Sequence, residues 1–114
     1  MMNTSLYVTY NEKAGDNVEY DMTIEYYLLE QELVENQKEL SRYGVAVKKT
    51  AVYPNGEKKS NTAEVITDIF CRIDDVKRFL DILIKGRVTP MTFREITEEF
   101  VLSRFNFSVL ESKL

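Results

Sequence analysis

TAEVITDIFCRIDDVKRFLDILIKG, residues 62–86, changes period part-way along, and that change decides the fold. Its first half, as far as Ile73, is rich in β-branched residues and reads as a strand. Its second half sets Val76, Phe79, Leu80 and Leu83 three or four residues apart, the spacing of one helix face. Asp74 and Asp75 stand at the junction, where a carboxylate caps free backbone N–H groups and complements the helix dipole. Gly86 closes the helix at the left-handed position that follows many helix ends. A helical alternative for residues 62–73 stays open, because Val65, Ile66, Ile69, Phe70 and Ile73 also fit a helical stripe.

Toward the N-terminus the strand period holds. Tyr20, Met22, Ile24, Tyr26 and Leu28 alternate within a strand predicted over residues 18–29. A first strand covers residues 5–10, and a third covers 42–53 with Tyr43, Val45, Val47, Ala51 and Tyr53 on one side. The turn formers Gly15, Asp16 and Asn17 separate the first two strands, and Pro54-Asn55-Gly56 follows the third. Residues 30–40 suit either a helix or a long hairpin with Asn36-Gln37 at its tip. Toward the C-terminus a second helix starts at Pro90 with Thr89 as its N-cap, and buries Phe93, Ile96 and Phe100. Residues 1–4 and 105–114 are expected to be flexible ends, although Phe107 and Val109 make the tail apolar enough to dock. The expected fold is therefore α+β in a single domain over residues 1–114. It is a four-stranded, mainly antiparallel β-meander followed by two C-terminal helices packed on one face of the sheet.

Composition bounds the function. The chain has 114 residues, 44% of them hydrophobic and 30% charged, as in a soluble one-domain protein. A net charge of −4 with scattered Lys and Arg disfavours nucleic acid as a partner. No apolar run approaches the length of a membrane span, and no leader pattern opens the chain. The single cysteine, Cys71, reads as a core residue of the fourth strand and suits a reducing cytoplasm. Histidine is absent, which removes the commonest general base and the commonest transition-metal ligand. One cysteine cannot build a zinc site, and the four glycines stand too far apart for a phosphate loop. Asp74-Asp75 reads as a helix start, and Glu98-Glu99 as a solvated face. The prediction is no catalytic residue, no metal and no cofactor; a carboxylate-based enzyme is the least favoured class.

The candidate site comes from the sheet's second face. If Tyr20 to Leu28 face the helices, Glu25, Tyr27 and Leu29 point the other way. A hairpin closing at Asn36-Gln37 sets Glu25 opposite Lys48 and Thr23 opposite Thr50, and a connection centred on Lys58 turns Lys48 toward Asp68. A charged row, Glu25–Lys48–Asp68, then borders an apolar patch of Tyr27, Ala46 and Phe70 flanked by Leu29 and Ile66. The candidate interface is thus Glu25, Tyr27, Leu29, Lys48, Ile66 and Phe70. Its expected partner is a second copy or another protein, since large exposed apolar patches mark interfaces. Cover by the tail is the plain alternative. A competing function is small-molecule binding in a pocket between sheet and helices, lined by Tyr20, Tyr26, Tyr43 and Tyr53.

Tyr43-Gly44-Val45, followed by a strand, a helix and Val88-Thr89-Pro90-Met91-Thr92-Phe93-Arg94-Glu95, resembles a family of short proteins of unknown function from clostridia and related spore-forming bacteria. The resemblance runs from the second strand to Phe100 and rests on a turn and a helix cap. It implies a bacterial intracellular origin and supplies no catalytic residues.

Overall fold

Alternating apolar residues draw four strands into one sheet, and residues of helical spacing roof it. The computed structural model describes residues 2–15 and 18–114. The strands are β1 (Met2–Glu12), β2 (Asp21–Glu35), β3 (Lys38–Val52) and β4 (Lys58–Phe70). They lie side by side in chain order, every neighbouring pair antiparallel. Helices α1 (Ile73–Lys85), α2 (Pro90–Leu102) and α3 (Phe107–Ser112) follow. The expected α+β meander with helices on one face is observed, and residues 62–70 belong to a strand.

Residues 30–40 are hairpin. Asn36 and Gln37 both take positive φ, 51° and 63°, as a two-residue turn of the mirror-image type I′ requires. This turn locks β2 to β3 in one unbroken register from Asp21↔Val52 to Glu35↔Lys38. The hairpin outruns its neighbours: β1 pairs no further than Gln31, and β4 no further than Tyr43. Its end is a bare two-stranded ribbon with Val34 exposed. Asp16 and Asn17, read as turn formers, lie outside the described residues.

The core fills the space between sheet and helices. Ile24 and Tyr26 of β2 and Val45 and Val47 of β3 meet Val76, Phe79, Leu80 and Leu83 of α1 and Phe93 and Phe100 of α2. The helix starts differ from expectation at α1. Arg72 occupies the N-cap, and Asp74 and Asp75 sit in the first turn, where they still complement the dipole. Thr89 caps α2 with Pro90 at its first position, as read. At the α1 C-terminus the left-handed residue is Arg87 (φ 50°), one place past Gly86. Val88 N–H reaches Leu83 O and Arg87 N–H reaches Ile84 O, closing the helix end. Arg87 is held there by its guanidinium, 4.6 Å from the Tyr10 ring centre.

The tail does not hang free. Residues 107–112 form α3, whose Leu110 is buried in the same core, and Lys113 pairs with Glu99 of α2 at 2.9 Å. Met2 to Ser5, the other expected loose end, extend β1.

Tyr26 ties sheet to roof. Its hydroxyl donates to Val88 O at 2.9 Å in the interior. Burial pushes its pKa up from 10 to about 12. The folded state therefore holds this proton more tightly than the unfolded chain does. The stability it contributes is complete below pH 10 and falls as pH rises from 10 toward 12. In denaturant titrations across that window, Tyr26→Phe should fall less steeply than wild type. Below the window the variant should be less stable by roughly 1–3 kcal/mol, because Val88 O loses its partner.

Candidate functional site

The helices cover one face of the sheet, and the other face has no second layer. Unbroken register through β2 and β3 decides which residues share it. Glu25, Tyr27 and Leu29 point away from the helices, with Lys48 and Ala46 beside them: Glu25 pairs with Lys48, Tyr27 with Ala46 and Thr23 with Thr50, as expected.

The β4 part of the expected site is corrected. Lys48 lies opposite Ala63, and Ala46 opposite Val65, so neither Asp68 nor Phe70 joins the rows assigned to them. Tyr43 pairs with Phe70 and Val45 with Ile66, which leaves three β4 residues across from Gly44 alone. Asp68 adopts φ 55° within this bulge and pairs with Arg42 at 2.5 Å. Val45 and Tyr43 face the helices, so their partners Ile66 and Phe70 do too. Phe70 is buried against Phe79, Phe100, Phe105 and Phe107, and Ile66 packs against the same core. Cys71 lies just past the strand and is exposed, so it is not a core residue. Nor does the tail cover the outer face, because α3 docks in the helical layer.

A different row emerges. Leu6 pairs with Tyr27, Tyr27 with Ala46, and Ala46 with Val65, so one apolar line crosses all four strands. Leu6 is 55% exposed and Val65 51%, while Tyr27 and Ala46 are half-buried. Leu29 lies beside this line at only 4% exposure, over Gly44. The next row reads Thr9, Glu25, Lys48, Ala63. Among the described residues no ion pair joins Glu25 to Lys48; Glu25 accepts the Tyr27 hydroxyl at 2.7 Å. That bond raises the Tyr27 pKa, since the carboxylate favours the protonated phenol. Leu6 and Val65 were missed for lack of a register for β1 and for β4. Each was visible only as an apolar residue on a strand.

Two clefts lie elsewhere. The larger, about 740 Å³, runs along α1 and mixes Lys77, Arg78 and Lys85 with Asp74 and Asp81. Two of its charges are engaged with neighbours: Tyr7 donates to Asp81 at 2.8 Å, and Arg78 stacks on Phe107. The smaller, about 140 Å³, lies between β4 and α2 and is lined by Val65, Ile66, Phe93 and Thr97, with Glu64 and Arg94 paired at 2.8 Å. The Thr97 hydroxyl is buried there without a hydrogen-bond partner. Neither cleft is lined by the tyrosines of the competing reading. Tyr26 is closed off by Val88, while Tyr20 and Tyr53 meet edge to face at 6.5 Å with Lys59 over Tyr20. Among the described residues, no helix is long and apolar enough to cross a membrane.

The profile of a family of unknown function (DUF6514) matches residues 5–103, which span the meander and both main helices. The chain belongs to that family. No curated protein and no solved structure matches it. The family description assigns no chemistry, so the functional reading rests on the residues above.

Proposed function

We propose that this family member is a non-enzymatic protein that works by protein–protein contact, with the uncovered sheet face as its contact surface and a second copy as the occupant. The observation that carries the reading is the line Leu6–Tyr27–Ala46–Val65, apolar across all four strands on a face that nothing covers. A symmetric contact must complement itself. This face does, because Glu25 and Lys48 stand side by side next to the line and can each meet the opposite charge across a two-fold axis. Stacking two such faces gives a β-sandwich, the usual way to bury an open sheet.

The absence of histidine from the chain supports a non-enzymatic role. A net charge of −4 speaks against nucleic acid as the partner. The single exposed thiol of Cys71 and the resemblance to clostridial proteins both fit a reducing bacterial cytoplasm.

Sedimentation equilibrium tests the contact. Leu6→Asp puts a charge on the line where the side chain is already half in water, so the monomer should keep its thermal midpoint. Self-association through the face should weaken roughly tenfold or more, by the transfer energy of one leucine and the cost of a desolvated carboxylate. Wild type and Leu6→Asp sedimenting alike would remove the outer face from the reading.

A further inference from the structure

The edge of β4 and the flank of α2 carry a second unpartnered surface, separate from the outer face. β4 ends the sheet, so one side of its backbone has no strand beside it. Register shifts at Ala51/Val52 and at Tyr43/Val45 bracket a regular run, Ser60 to Ile66. Along that run no bulge or proline blunts the edge. Directly above it lies α2. Met91, Arg94, Glu98 and Leu102 are three or four residues apart and so share one flank of this helix. Arg94 and Glu98 line the cleft over Glu64, Val65 and Ile66, which places that flank on the β4 side. Met91 is 91% exposed and Leu102 83%, the two most exposed large apolar side chains described.

We infer that a second copy of the chain docks here, pairing β4 with β4 and α2 with α2 about one two-fold axis. The surface is self-complementary in both layers. Antiparallel β4 strands centred on Ala63 use the whole regular run and set Ser60 opposite Ile66 of the second copy. Antiparallel α2 helices set Met91 against Leu102 of the second copy and Arg94 against its Glu98. In the same register Ser60 of the second copy arrives beside Ile66, at the mouth of the cleft where the Thr97 hydroxyl has no partner. The result is a continuous eight-stranded sheet with both α2 helices on one side. The inference does not depend on the outer-face contact, and both together would give a tetramer of dihedral symmetry.

The test uses the full chain carrying Leu6→Asp, so that face-to-face association is already weakened. Amide exchange at Asn61–Ile66 should slow as protein concentration rises, and sedimentation should show a dimer. Adding Met91→Lys and Leu102→Lys, both at exposed positions, should raise the dimer dissociation constant by roughly a hundredfold and return those amides to concentration-independent exchange. A monomer at every concentration, or a dimer whose β4 amides exchange independently of concentration, overturns the inference. So does a dimer that the paired lysines leave intact. A peptide or another protein protecting the same amides while the chain alone stays monomeric would assign the edge to a different occupant and overturn the second copy. Loss of association with Leu6→Asp but not with the paired lysines would support the outer face alone.

Discussion

Phe100→Ala is expected to cost about 4 kcal/mol of unfolding free energy. Phe100 is fully buried, and its ring lies 5.0–5.9 Å from those of Phe79, Phe105, Phe107 and Phe70. These rings come from α1, the α2–α3 connection, α3 and β4, so the position joins every element of the helical layer to the sheet edge. Truncation removes the apolar contacts and leaves a cavity that four large rigid rings cannot collapse into. Against a total of about 5–15 kcal/mol for a domain of this kind, the loss brings the protein close to unfolding. Phe100→Leu, which keeps most of the volume, should give a measurable intermediate. Urea midpoints at unchanged slope provide the reading. Leu102→Ala, two residues on and 83% exposed, should change stability by less than about 0.5 kcal/mol. A Phe100→Ala loss below about 1 kcal/mol would show that the aromatic cluster is not the keystone of the fold.

The second large effect is expected at Gly44. A Cβ there would lie 2.2 Å from Ile66 O and 2.8 Å from the Thr67 Cα. Both atoms are backbone, so no rotamer change relieves the clash. β4 must move away from β3 at the bulge between Ile66 and Phe70. Gly44→Ala should therefore cost about 3 kcal/mol, at the upper end of overpacking effects. That corresponds to a fall in thermal midpoint of roughly 12 °C for a chain of this size. Gly15→Ala is the control, since a Cβ at Gly15 meets nothing within 4 Å. Equal midpoints for the two variants would show that the close approach of β4 at Gly44 is not a constraint on the fold.

These two sites show where the sequence was legible and where it was not. The switch from period two to helical period near Asp74 was plain, and it yields the meander, the roof and the covered face. The Asn36-Gln37 hairpin was one of two readings, and its register followed from simple counting. Counting failed across the next connection because the turn closes with Val52 opposite Lys58, earlier than a centre at Lys58, and because the register shifts once more between Ala51 and Val52. Yet a trace of the bulge was present: Ile66, Ile69 and Phe70 break strict alternation, and Ile69 and Phe70, neighbours in sequence, are both buried in the core. A helix and a bulged strand leave the same mark in sequence. Four of the six expected interface residues therefore kept their face, Glu25, Tyr27, Lys48 and the buried Leu29, while Ile66 and Phe70 went to the core. Leu6 became visible as the partner of Tyr27 only once β1 had a register. The exposure of Met91 and Leu102 depends on how α2 is rotated over β4, and spacing alone did not settle that.

The order of elements along the chain has a consequence for biosynthesis. Each strand pairs with the one translated just before it, so the sheet can grow while the ribosome is still at work. The three helices emerge after the sheet. Until they do, Ile24, Tyr26, Val45 and Val47 face water on one side while Leu6 and Val65 face it on the other. The nascent chain therefore passes through an interval in which it is adhesive on both surfaces, and only the arrival of the helices makes one of them inert.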